Sequence, residues 1–167
     1  MIFEMAMKED FPGWGNMLEK GNGTFFEDWE CRGSALHSSY LYIGSWFIEA
    51  LGGIRRTESG YKQFIIEPWI TEKGPQQVRS HYNSMYGNIE SNWAVNSGVL
   101  NLEVTVPANT TAILKLSDID LETLKEGDSI WKEAKGVSLY TQKGKAISLA
   151  LQSGTYRFSV TMNSGLQ

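Results

Sequence analysis

A chain of 167 residues with 41% hydrophobic and 20% charged side chains has the balance of an ordinary globular protein and room for a sizeable core. Its formal net charge of −4 argues against a nucleic-acid partner, and no apolar run approaches the length of a membrane span, so neither nucleic acid nor membrane is expected as a partner. One cysteine, Cys31, excludes an internal disulfide framework and cannot build a metal site alone.

In chain order, Met1 to Lys8 reads as the end of a helix, stopped by Asp10-Phe11-Pro12-Gly13. The opening residues lack a basic start and a signal-like apolar core, so no export signal is expected in this chain. Gly13 to Gly33 is rich in glycine, aromatics and acids without a clean period, which predicts a long functional loop. A helix is expected over 35–51. Ser34 is its N-cap, Leu36, Tyr40, Ile43, Phe47 and Leu51 form its apolar face, and Gly52-Gly53 is its stop. One helix and the tail of another cannot bury that stripe by themselves. Arg55 to Gly60 ("RRTESG") is the most polar connection and the expected domain boundary.

Beyond it the period changes to two. Short strands are expected at Gln63–Glu67, Val78–Tyr82, Val99–Pro107, Thr110–Leu116, Ser129–Lys132, Val137–Tyr140, Ala146–Leu151 and Tyr156–Val160. Leu100, Leu102, Val104 and Val106 alternate with Asn101, Glu103 and Thr105, the mark of a half-buried strand with one wet face. About eight strands joined by Gly, Asn and Pro turns predict an antiparallel β-sandwich.

No phosphate-binding glycine motif occurs, and His37 and His81 lack companion ligands, so no metal and no cofactor is expected. Cys31, with only Arg32 as a basic neighbour, reads as an inert free thiol. The six Trp, seven Tyr and seven Phe suit either core packing or sugar stacking. In "SHYNSMYGNIESNW", Tyr82, Tyr86 and Trp93 read as core and rim aromatics, with a carbohydrate-binding platform as the alternative. The segment "GTFFEDWECRGSALH" concentrates Glu27, Asp28 and Glu30 among Phe25, Phe26 and Trp29. A glycosidase needs two such carboxyl groups, one donating a proton and one activating water or attacking the sugar. Thr24-x-x-Glu27 is equally a capping-box pattern, in which Glu27 would bond a backbone N–H and do no chemistry.

Five pieces in order carry a resemblance: "MAMKEDFPGWGNMLEKGNGTFFEDWE", "SALHSSYLYIGSWFIEALGGI", "GYKQFIIEPWI", "YNSMYGNIESNW" and "LEVTVPANTTAILKL". Together they resemble the C-terminal part of bacterial α-L-rhamnosidases, glycoside hydrolase family 78. The resemblance implies a mixed fold. Residues 1–56 would be the last helices and connecting loop of an (α/α)₆ barrel, and residues 57–167 the β-sandwich that follows it. It implies an inverting hydrolase that removes terminal α-L-rhamnose, in which the Thr-x-x-Glu-x-Trp segment places Glu27 as general base. Trp29 and His37 would bind the sugar. Leu36 stands where the family has an asparagine, and the loop before His37 is shorter than usual.

The general acid would lie on an upstream part of the barrel, so the isolated chain is expected to be inactive. Its partners would be that missing part and a rhamnosyl glycoside, in a periplasmic or secreted parent. The rival reading is a non-catalytic β-sandwich module that binds carbohydrate or buttresses a neighbouring domain. The first reading predicts an exposed apolar stripe on the helical segment.

Overall fold

A computed structural model describes residues 2–163, apart from the side chains of residues 39 and 40. The chain divides into two compact units, one up to Trp46 and one from Phe47 onward.

The first unit is short helices and turns. Helix α1 (Ile2–Ala6) is followed by α2 (Trp14–Lys20), α3 (Ser38–Leu41) and α4 (Ile43–Trp46). The stretch expected to be one long loop thus holds α2, whose Asn16 and Met17 are buried. Its glycine-flanked seven residues are too few to show a period. The helix expected over 35–51 is not continuous. Ser34 is no N-cap, since helix begins only at Ser38, and Leu36 is exposed in the preceding loop. Of the expected face in this unit, Ile43 is buried, while the side chain of Tyr40 lies outside the described residues.

The second unit begins with a turn of π-helix, Phe47–Leu51, closed by Gly52 N–H donating to the Phe47 carbonyl at 2.9 Å. Eleven strands follow: β1 (Ile54–Arg56), β2 (Gln63–Ile66), β3 (Gln77–Ser84), β4 (Gly87–Asn96), β5 (Val99–Val106), β6 (Thr111–Leu116), β7 (Lys125–Glu126), β8 (Ser129–Ile130), β9 (Val137–Lys143), β10 (Ala146–Leu151) and β11 (Gly154–Thr161). They form a five-stranded sheet, β1-β2-β6-β10-β9, and a six-stranded sheet, β3-β4-β5-β11-β7-β8. Every pairing is antiparallel except β2 with β6, which run parallel. The expected antiparallel sheet is therefore mixed at one place.

Alternation explains the layers. The inner residues Phe64 and Ile66, Ala112, Leu114 and Leu116, and Ile147, Leu149 and Leu151 come from the five-stranded sheet. Ile89 and Trp93, Leu100 to Val106 on even numbers, and Tyr156, Phe158 and Val160 come from the six-stranded one. All join a single core, the arrangement of a β-sandwich. Trp93 is 3% exposed and its indole N–H donates to the Leu51 carbonyl at 2.8 Å, tying the π-helical turn to the core. Trp93 is thus a core residue, and Tyr82 packs on Tyr61 at a ring separation of 4.3 Å. This is the packing expected of core and rim aromatics, with Tyr86 left exposed.

The strand expected at Ser129–Lys132 is shorter. It stops at Ile130, where Trp131–Glu133 turns as 3₁₀-helix and buries Trp131.

Candidate functional site

The segment 24–37 is a loop closed on itself by hydrogen bonds between its two limbs. Thr24 Oγ1 donates to the Ala35 carbonyl at 2.6 Å, His37 N–H donates to the Phe25 carbonyl at 3.0 Å, and Glu27 N–H donates to the Ser34 carbonyl at 3.0 Å. Ser34 returns the bond, its N–H donating to Glu27 Oε2 at 3.2 Å. No helix starts here, so the capping-box geometry is not realised. Thr24 and Glu27 instead bond partners seven to eleven residues ahead.

These rungs bring the limbs that carry Glu27 and His37 together. The Glu27 side chain is exposed, and Oε1 has no hydrogen-bond partner among the described residues. Its seat is shaped by Gly33, which lies at φ +74; a Cβ there would stand 2.5 Å from Glu27 Oε2. His37 is half-buried, and its Nδ1 is shielded from solvent without a partner among the described residues. Trp29 is half-buried and packs edge-on against Trp14, with ring centroids 5.3 Å apart at 85°.

The other two acids serve the loop tip. Arg32 donates to Asp28 twice, from its backbone N–H to Oδ1 and from Nε to Oδ2, each at 3.0 Å; its guanidinium also lies 3.4 Å from Glu30. The Arg32 backbone N–H, joined by its guanidinium, holds the Asp28 carboxyl below the ordinary carboxylate value despite some opposing desolvation. Cys31 sits at φ +61 with its Sγ 3.8 Å from the Met17 carbonyl oxygen, a thiol directed at backbone.

Ser34 and Gly33 hold Glu27 through the Ser34 backbone and the absence of a Cβ at Gly33, so their side chains gave sequence reasoning nothing to find. The Gly after a Cys-Arg turn was the available signal. Among the described residues no cluster of three His, Cys, Asp or Glu could hold a metal, and no helix is long and apolar enough to cross a membrane.

The loop thus carries Glu27, Trp29 and His37 together with the Asp28–Arg32–Glu30 cluster at its tip. Comparison with known proteins shows what the chain resembles. Residues 53–130 match the bacterial alpha-L-rhamnosidase C-terminal domain. Two alpha-L-rhamnosidases of Formosa agariphila are 28% and 30% identical over 95% and 94% of this chain. In structure, the alpha-L-rhamnosidase from Dictyoglumus thermophilum superposes with a TM-score of 0.78 at 26% identity, covering 95% of this chain. The Streptomyces avermitilis alpha-L-rhamnosidase complexed with L-rhamnose shares the fold with a TM-score of 0.79 at 23% identity over 95% of this chain. The chain spans only 18% and 17% of the Formosa proteins, and 18% and 16% of the two solved chains. It resembles the C-terminal part of bacterial α-L-rhamnosidases over nearly its whole length.

Proposed function

We propose that this chain is the C-terminal part of an α-L-rhamnosidase-like inverting glycoside hydrolase and contributes the general base, Glu27. The first unit, up to Trp46, is then the last helices and loop of an (α/α)₆ barrel, and the second unit, which takes in β1 at Ile54–Arg56 ahead of the expected boundary at 57, is its C-terminal sandwich. The observation that carries this reading is the Glu27 carboxylate itself. It is anchored at Oε2 by Ser34 and left free at Oε1, on the loop whose next rung carries His37. A base needs this arrangement, with one oxygen fixing the geometry and the other available for a water proton.

In the reaction, Glu27 Oε1 takes a proton from water as that water attacks the anomeric carbon of a terminal α-L-rhamnosyl unit. His37 donates to or accepts from the sugar hydroxyls, and Trp29 offers an apolar ring to the sugar's C–H face. The leaving oxygen is protonated by an acid from the remainder of the barrel, with the two carboxyl groups ~6.5–9.5 Å apart to admit the water. The short helices support a missing barrel independently. Ile2, Met5, Met7, Leu18, Leu36, Leu41 and Tyr42 are all exposed, with Met7 at 64%, Leu36 at 67% and Tyr42 at 70%, an apolar surface that neighbouring helices would cover.

The test is hydrolysis of an aryl α-L-rhamnoside. The 167-residue chain alone is expected to show none. In the longer protein that contains it, Glu27→Gln should lower kcat by ~10²–10⁴ with a smaller change in KM, and the first product should be β-L-rhamnose. Glu27-dependent turnover by this chain alone, an α-anomeric first product, or undiminished kcat in the variant would each overturn the reading.

A further inference from the structure

The outer face of the six-stranded sheet is not a plain solvated surface. Register places Arg79 beside Asn92, Asn92 beside Glu103, and Glu103 beside Arg157, one continuous row across β3, β4, β5 and β11. A second row, Gln77, Ala94, Asn101 and Ser159, runs alongside it. The Gly127-Asp128 turn between β7 and β8 borders the β11 end, and together these residues line an open groove of about 510 Å³. That is within the range of ligand sites, ~300–1,000 Å³. At ~4.8 Å per strand, the row from β3 to β11 is ~14 Å long, enough for a short chain of sugar rings rather than one small molecule.

The hydrogen-bonding state of each side chain says what would fit. Arg157 Nε donates to Glu103 Oε2 at 2.8 Å, which fixes both side chains and leaves the terminal guanidinium nitrogens as donors and Glu103 Oε1 as acceptor. Asn92 Oδ1 accepts from Ser80 N–H at 3.3 Å, which orients its amide NH₂ as a free donor. Arg79, by contrast, has no ion-pair or hydrogen-bond partner among the described residues, although its row neighbours are engaged. Three donors, from Arg79, Asn92 and Arg157, thus share the groove with the Glu103 acceptor, a mixture that hydroxyl groups satisfy, with one guanidinium at the β3 end that no described carboxylate pairs. Guanidinium binds carboxylate bidentately. No aromatic side chain stands on either row, so recognition here is polar.

We propose that this groove binds an acidic oligosaccharide, with Arg79 receiving a sugar carboxylate and Asn92, Asn101, Glu103 and Arg157 receiving hydroxyls. This goes beyond the catalytic reading and does not require it, because the groove uses none of Glu27, Trp29 or His37. Binding of an acidic substrate chain here would hold a polymer near an enzyme without taking part in bond cleavage.

The experiment is a titration of the isotopically labelled 167-residue chain with tetragalacturonate and with a neutral tetrasaccharide, followed by amide NMR shifts. The expected result is shifts confined to β3, β4, β5, β11 and the 127–128 turn, with tetragalacturonate binding about tenfold tighter than the neutral sugar and weakening as salt screens the contact. Arg79→Ala should remove that tenfold preference while leaving the spectrum folded, since its side chain is exposed and unpartnered. Asn101→Ala should weaken both ligands, and Lys145→Ala, in the β9–β10 turn away from the groove, should change neither. No saturable shifts, shifts elsewhere on the domain, or an Arg79→Ala preference equal to wild type would overturn the proposal.

Discussion

Gly53 and Gly98 offer a controlled pair for testing the sandwich. Both lie in the left-handed region, at φ +71 and φ +77. At Gly98, in the turn between β4 and β5, an added Cβ meets nothing within 4 Å. At Gly53 the same Cβ would run into the backbone where Glu67 joins Pro68. Glu67 N–H donates to the Gly53 carbonyl at 3.0 Å there, and the β1–β2 pairing begins one residue later. Gly98→Ala therefore costs only the left-handed penalty, ~1–2 kcal/mol. Gly53→Ala adds steric displacement of ~1–3 kcal/mol and the weakening of one hydrogen bond at ~1 kcal/mol. The expected totals are ~1–2 kcal/mol for the first and ~3–6 kcal/mol for the second. Urea unfolding followed by circular dichroism measures both, and the slope against urea should stay constant. Equal losses, within ~0.5 kcal/mol, would refute the close approach of the 53 and 67–68 backbones.

Trp93→Phe should destabilise the sandwich by ~1–3 kcal/mol, because the Leu51 carbonyl loses its buried donor; the same urea unfolding measures the loss. Burial raises the phenol pKa of Tyr156, whose hydroxyl donates to the Gln152 carbonyl at 2.9 Å. The neutral form is thus favoured in the folded state. Its contribution is complete below the unfolded phenol pKa and is lost as pH rises through the folded value, so stability should decline above about pH 10 and Tyr156→Phe should flatten that decline. Asp28 has the opposite sign. Its folded pKa is depressed, so what it adds to loop order is present above the unfolded carboxylate pKa and lost as pH falls through the folded one. Carboxyl NMR titration should show its midpoint moving upward in Arg32→Ala.

What was readable in the sequence follows physical rules that differ between the two units. Ala146–Leu151 is a strand with the bounds that its alternation predicts, because Ile147, Leu149 and Leu151 all face the core. β4 was not assigned although it is the longest strand. Its inner row includes Ser91, buried and polar, which breaks the apolar alternation between Ile89 and Trp93. β1, β7 and β8 have three, two and two residues, too few for any period to appear. The helix expected over 35–51 ends where expected, at Leu51 before Gly52-Gly53, but starts late, at Ser38, and breaks at Tyr42, because an apolar period marks a face and not the continuity of the backbone. The bond from Gly52 N–H to Phe47, five residues back, inserts an extra residue into the last turn and rotates the apolar face. At the candidate site the carboxylate was visible as a residue type in a motif. The groove was not, because Arg79, Asn92, Glu103 and Arg157 meet only through the register of four strands.

The double use of Glu27 decides how its role can be measured. One oxygen closes the loop against Ser34 and the other is free, so removing the side chain confounds structure with chemistry. Glu27→Gln separates them: the amide oxygen can still accept from Ser34 N–H, while the group can no longer take a proton at neutral pH. Gly33→Ala makes the converse change. Its Cβ would crowd Glu27 Oε2 at 2.5 Å, moving a carboxylate that remains ionisable. If Glu27 is only a loop closure, in the longer protein Glu27→Gln should leave turnover intact, and Gly33→Ala should harm stability alone. If it is the base, both variants lose kcat, and for different reasons. Glu27→Gln abolishes the acidic limb of the pH–rate profile, where a base is lost by protonation, whereas Gly33→Ala keeps that limb and lowers the plateau. A single pH–rate series on the two variants therefore distinguishes a positioned base from a structural acid, which no comparison of residue types can do.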